Sequence, residues 1–213
     1  MTERAPVFED TAEFARLSDV LNERLMQCTR PQLMSIDGRS GTGKTSLAHA
    51  IVRKHGGVVL HGDDFCDGGS FEEWMARTPL QRYQLSKNWE RLRHDVLVPL
   101  LAGRTAMWRS YDWEADALST EDTITYPRPF VVLEGVFSAR PELKDIVDVS
   151  VLVDVPHSER IRRVALREGQ AYMQSWFPIW EETEDLYFET ISPPSSFDTV
   201  YNNTHLVKTG DGR

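Results

Sequence analysis

LMSIDGRSGTGKT, residues 33–45, decides the architecture of this chain: a buried strand, a phosphate loop and the start of a helix follow one another without a break. Gly38, Gly43, Lys44 and Thr45 fill every fixed position of G-x-x-x-x-G-K-[ST], and Leu33, Met34 and Ile36 stand where that motif needs a strand. Downstream, Leu47, Ala48, Ile51 and Val52 recur at helical spacing until His55-Gly56-Gly57 stops the helix. Glycines let successive N–H groups converge on phosphate oxygens, and the positive end of the helix dipole points the same way. Gly38, Ser40, Gly41, Thr42, Gly43, Lys44, Thr45 and Ser46 therefore read as the cradle of a nucleoside triphosphate. Lys44 would reach the β- and γ-phosphates, and the Thr45 hydroxyl would ligate Mg²⁺.

Working outward, residues 10–27 read as an amphipathic helix beside the first strand, with Asp10 as cap and Phe14, Leu17, Leu21 and Leu25 on one face. On the other side, the apolar run Val58 to His61 delivers Gly62-Asp63-Asp64-Phe65 at its carboxyl end. Ligands of open parallel sheets gather at the carboxyl ends of strands, so these acids are placed near whatever the phosphate loop holds. A carboxylate there can take the proton of an attacking hydroxyl or hold Mg²⁺ through water; the same residues also suit the cap of a turn.

Residues 70–103 read as helix in two pieces, interrupted at Thr78-Pro79. Ser70 and Glu73 make a capping box, Trp89, Leu92, Val96 and Leu100 form the apolar stripe, and Pro99 is placed to kink the last turn before Gly103. Trp74 and Trp89 are expected in the core. The cluster Trp108 to Trp113 suits either a flat hydroxylated ligand or a hairpin packed on the surface. Phe130 to Leu133 is a buried strand ending in Glu134-Gly135, where Glu134 serves a metal's water shell or only a strand-end turn. Val149 to Val155 is the next strand, closed by Pro156.

Arg160, Arg162, Arg163 and Arg167 follow within one helical stretch. They form a solvated basic face or, in an acidic chain with a phosphate loop, a lid that neutralises the transferred phosphoryl group. The aromatic and acidic residues from Trp176 to Phe188 read as one acidic helix docking that lid, which would cover residues 157–190. A weak strand at Thr199 to Tyr201 and a short one at 205–207 precede a tail, 204–213, with little expected order. Strands separated by helices imply right-handed crossovers and a mainly parallel sheet.

At 213 residues the chain suffices for one domain, residues 1–213, with one sizeable core. A formal net charge of −9 argues against a nucleic-acid partner, which demands a basic surface. No apolar run approaches membrane-spanning length, and the acidic start, MTERAPVFED, has no signal core, so a cytoplasmic location is expected. Cys28 and Cys66 form no metal or redox pair, and no two histidines stand at zinc-ligand spacing. Two other readings stay open: a regulatory GTPase, which would need a guanine-reading N-K-x-D or similar motif that is not present, and a non-catalytic nucleotide-binding module, which would need neither Asp63 nor the lid arginines.

The order phosphate loop, Asp-x-Phe, Tyr-Asp-aromatic, Glu-Gly and arginine-rich helix resembles the uridine kinase-like family of small-molecule P-loop kinases, from about residue 34 to 200. The resemblance implies a three-layer α/β/α sandwich around a five-stranded parallel sheet, ATP and Mg²⁺ as cofactors, and a small hydroxylated molecule as acceptor. In the family motif D-x-F-Y the aspartate is the base; Asp63-Asp64-Phe65-Cys66 matches it without the tyrosine. By the same resemblance Asp63 and Lys44 are catalytic with the lid residues Arg162, Arg163 and Arg167. Thr45, Asp63 and Glu134 serve the metal, and Asp64, Phe65, Tyr111, Asp112 and Trp113 contact the acceptor. The family hairpin Y-D-F-x-x-H-x-R becomes Tyr111 to Leu118 here, so Asp116 and Leu118 replace the base-selecting histidine and arginine.

Overall fold

Five parallel strands form the central sheet: β1 (Gln32–Asp37), β2 (Val58–His61), β3 (Phe130–Glu134), β4 (Val149–Asp154) and β5 (Thr199–Asn202), in the spatial order β2-β3-β1-β4-β5. The computed structural model describes residues 8–27 and 29–204; Cys28, the side chain of Leu25 and the expected strand at 205–207 lie outside what it describes. All six residues of β1 and all five of β3 are buried, as strands covered on both faces must be. Alternate side chains then feed two cores. Met34, Ile36, Val132 and Val151 pack against α1 (Ala12–Gln27) and α2 (Lys44–His55) through Leu17, Leu21, Leu47 and Ile51. Leu33, Val131, Leu133 and Leu60 meet Leu92, Val96 and Leu100 on the opposite face. The result is the expected three-layer α/β/α arrangement.

Local differences from the sequence reading have identifiable causes. The cap of α1 is Thr11, not Asp10: Phe8–Asp10 closes into a 3₁₀ turn, and Thr11 Oγ1 accepts from Phe14 N at 3.1 Å while donating to Phe8 O at 2.9 Å. Pro79 starts a helix as well as interrupting one. Phe71–Ala76 and Pro79–Leu85 each open with a capping box, Ser70 with Glu73 and Thr78 with Gln81. Ahead of Pro99 the helix widens into a π segment, Leu92–Leu97, a form that accommodates a residue with no N–H to donate. Residues 106–125 project as an antiparallel arm, pairing Ala106–Trp108 with Thr123–Thr125 and Tyr111–Asp112 with Ala117–Leu118.

Register fixes what meets at the carboxyl edge of the sheet. Glu134 pairs with Ile36 of β1 on one side and His61 of β2 on the other, so the phosphate loop, Glu134 and the Asp63 turn emerge side by side. At the other edge Asp154 pairs with Asn202, and Asn203 N donates to Asp154 O at 2.8 Å, which brings the end of β5 against the same loop.

Candidate active site

The phosphate loop is clamped from beneath by Asp37. Its buried carboxylate accepts from Gly38 N (2.7 Å), Phe137 N (3.0 Å), Ala139 N (2.9 Å) and Tyr187 Oη (2.8 Å). Burial pushes the Asp37 carboxyl upward, against the pull of these donors and of Lys44. From the side, Asn203 Nδ2 donates to Thr42 O at 2.8 Å. Gly43 begins α2 at φ 93°, and a Cβ there would lie 2.5 Å from that Asn203 amide, so glycine is required on both counts. Gly41 packs against Arg160 O and Val164, and Thr42 Oγ1 donates to Arg39 O at 2.8 Å.

Lys44 is buried at the first position of α2, with Nζ donating to Arg39 O at 3.0 Å. Burial draws its ammonium down in pKa while Glu184, Glu134, Asp37 and Asp63 draw it up. Thr45 and Ser46 are exposed on the first turn of α2. Thr45 Oγ1 donates to Glu134 Oε2 at 3.1 Å, and Glu134 Oε1 meets His61 Nδ1 at 2.6 Å, which raises the His61 pKa. A hydroxyl, the Glu134 carboxylate and nearby Asp63 are hard oxygen donors of the kind Mg²⁺ accepts alongside water and phosphate oxygens. Among the described residues no group of three or more His, Cys, Asp or Glu is placed to hold a metal ion by itself.

Asp63 and Asp64 part company. Asp63 is exposed toward the cavity and pairs with the Lys87 ammonium, whose charge holds the Asp63 carboxyl below the usual range. Lys87 is itself largely enclosed, and Asp63 drives its pKa upward against burial. Asp64 does not line the cavity, and burial raises its carboxyl pKa. Phe65 also departs from its assignment to the acceptor: it is fully buried in the core, stacked on Trp108 at 4.7 Å with Arg91 over its ring at 4.9 Å.

The acidic helix α4 (Trp176–Leu186) sits directly on the phosphate loop. Glu184 is buried and accepts from Ser40 Oγ at 2.6 Å and Ser40 N at 3.2 Å, while Asp185 pairs with Arg39 at 2.6 Å. Glu181 binds Arg160, a buried arginine of α3 (His157–Gln174) whose Nη1 lies 3.7 Å from Glu184. The arginine closest to the loop is thus Arg160. Arg162 forks onto Glu159 at 2.7 and 2.8 Å on the outer face, and Arg163 shares that carboxylate while reaching toward Asn203 O. Neither lines the cavity: Arg162 faces outward, whereas Arg163 lies beside the loop, its Nη1 3.8 Å from where a Cβ on Gly43 would stand. Arg167 does line it, two residues before α3 breaks at Gly169 (φ 81°).

Between Ser40, Asp63 and the hairpin arm lies a cavity of about 580 Å³. Tyr111 and Trp113 line it, their rings edge-to-face at 4.9 Å. Asp112 does not: its carboxylate accepts from Glu114 N (2.9 Å) and Ala115 N (3.1 Å) and closes the hairpin turn. Asp116 faces the cavity instead. Trp74, expected in the core, is buried yet lines the cavity with Trp176 and Trp180. Lys87, Glu184 and Asn203 carried no motif signal, since each acts through a partner distant in sequence.

A parallel sheet with a phosphate loop after its central strand defines an α/β P-loop protein of the kinase type. Residues 33–171 match the Phosphoribulokinase / Uridine kinase family, and the chain belongs to it. It is 29% identical over 148 residues to the uridine kinase of Bacillus pumilus, covering 66% of this chain and 69% of that protein. It is 30% identical over 146 residues to that of Deinococcus deserti, with coverage of 66% and 70%. Among solved structures it is similar to a possible uridine kinase from Bacillus stearothermophilus, with TM-score 0.63, 27% identity and coverage of 89% and 99%. A Silicibacter protein provisionally described as a fructose transport system kinase shares the fold, with TM-score 0.68 at 20% identity and coverage of 88% and 98%. No helix among the described residues is long and apolar enough to cross a membrane.

Proposed function

We propose that this chain, as one domain, transfers the γ-phosphoryl group of ATP to a hydroxyl of a small molecule, a nucleoside or a related sugar or polyol. The observation that carries this reading is the Asp63 carboxylate, kept ionised by Lys87 at the wall of a cavity that also reaches Ser40 of the phosphate loop. A nucleotide-binding module has no use for an ionised base facing an enclosed acceptor space. The relatives named uridine kinases support the same chemistry.

In this account the loop residues Gly38 to Ser46 hold the triphosphate, with Lys44 on its terminal phosphates. Thr45 and Glu134, with Asp63, are the residues that would hold Mg²⁺. Bound there, Mg-ATP supplies the activated phosphoryl group, and its metal offsets charge on the phosphate oxygens. Asp63 takes the hydroxyl proton as the acceptor oxygen bonds to phosphorus and the bond to the ADP leaving group breaks. Residues 157–190 act as the lid, in which Arg167 is the arginine facing the transferred group. ATP consumption with and without a panel of nucleosides, sugars and polyols tests this. Acceptor-dependent turnover supports a kinase, acceptor-independent turnover makes the chain an NTPase, and none makes it a binding module.

A further inference from the structure

The cavity walls hold four carboxylates, Asp63, Asp116, Glu168 and Glu184, against two cations, Lys87 and Arg167. Both cations are engaged, Lys87 by Asp63 and Arg167 by Glu168 at 2.6 Å. Glu184 in turn is held by Ser40 with Arg160 beside it. Asp116 forms no ion pair among the described residues. Its partners are neutral: Tyr111 Oη, which donates to Oδ1, and Gly69 N at 3.4 Å.

Asp116 is exposed in the hairpin turn at φ 48°, in the left-handed region that Asp enters more readily than most residues, and it faces the cavity. Burial and the Asp116 carboxylate push the Tyr111 phenol up to about 12, so it remains a donor at any working pH. Tyr111, edge-to-face with Trp113, donates to the carboxylate, and Trp180 contributes to the same cavity wall beside Trp74, whose ring already carries the Arg77 guanidinium at 4.1 Å.

We infer that the acceptor's non-reacting end is a flat, positively charged ring, and that Asp116 is the residue that selects it. This deepens the kinase reading and rests on it. Aromatic faces attract a cation through the ring quadrupole, and a carboxylate with unused lone pairs adds a charge-assisted contact. A phosphorylated acceptor would meet Asp116, Glu168 and Glu184 with no unengaged cation in the wall to receive it. Acceptors resembling a sugar phosphate are therefore disfavoured by the same residues.

The experiment compares acceptors at pH 7 with ATP: 3-methylcytidine against cytidine and 1-methyladenosine against adenosine as cationic pairs, whose added methyl the Asp116 variant controls for, and ribose 5-phosphate against ribose as an anionic pair. In the two cationic pairs the charged member should show a kcat/KM about tenfold higher, the size of one cation–π or partly exposed ion-pair contact. In Asp116→Asn that ratio should fall to within about twofold of unity, since charge is removed and shape kept. Equal kcat/KM within the pairs, an undiminished ratio in Asp116→Asn, or a preference for ribose 5-phosphate would overturn the inference. Should no acceptor stimulate turnover, it is the kinase reading that fails. Quenching of the cavity tryptophans by 3-methylcytidine and cytidine then decides the charge preference by itself, and equal affinities would overturn it.

Discussion

Lys87 and Asp63, 24 residues apart, form an ion pair inside the cavity that reaches the phosphate loop. A carboxylate so placed is ionised throughout neutral pH without help from the metal, and its largely enclosed partner is carried by the short segment between Pro79–Leu85 and Trp89–Arg91.

The pH dependence of turnover follows from that pair. Lys87 depresses the Asp63 pKa, so activity that needs ionised Asp63 persists as pH falls until that depressed value is reached. Lys87→Met should move the acid limb of kcat/KM upward by about one to three pH units, and Lys87→Arg should keep most of it in place. Profiles of kcat/KM against pH for the three proteins check this; coincident acid limbs would detach the lysine from the base.

Lys44 is the charge nearest the expected terminal phosphates. Lys44→Ala should cost about 10²–10³-fold or more in kcat, because the charge matters most where phosphoryl charge develops. Steady-state kinetics at saturating ATP measure it, and near-native kcat would sink the assignment.

Glu184 ties α4 to the phosphate loop through Ser40. Glu184→Ala removes the acceptor of the half-buried Ser40 hydroxyl and amide and a buried carboxylate beside Arg160, at a cost of about 1–3 kcal/mol in stability. Burial raises the Glu184 pKa, so its charge is itself unfavourable at neutral pH. Glu184→Gln, which still accepts from Ser40, should therefore lose far less. Urea denaturation of both variants provides the comparison, and equal losses would contradict it.

The sheet was legible because four of its strands are short, mainly apolar runs bounded by glycine, proline or acid, and only the edge strand Thr199–Asn202 reads weakly. The placing of Asp63 and Glu134 at strand ends was legible for the same reason. Lys87 was not, since an isolated lysine in a polar stretch has nothing to distinguish it until Asp63 is folded against it. Glu184 lies 144 residues from Ser40, and nothing in its helix, read as docking the lid, singles out that one carboxylate as the partner of the loop. Tyr111 and Trp113, which the family resemblance singled out, line the cavity, but Asp112 closes the turn and Asp116 faces the cavity through a left-handed residue that no spacing rule announces.

The arginines of α3 should separate in function. Arg167→Ala should lower kcat by about 10²-fold if its guanidinium serves the transferred phosphoryl group. Arg162, exposed and forked onto Glu159, should leave both kcat and thermal midpoint near native when replaced by alanine. Parallel kinetics and thermal melts test the pair, and a reversed order would place the working arginine on the other face of the helix.

The most direct test of the account is Asp63→Asn, measured as acceptor-dependent ATP consumption alongside ATP affinity. The amide keeps size and polarity but cannot take the proton, so turnover should collapse by about 10²–10⁴-fold while ATP still binds with near-native affinity. Retained acceptor-dependent turnover in Asp63→Asn would contradict the central claim that this carboxylate is the base.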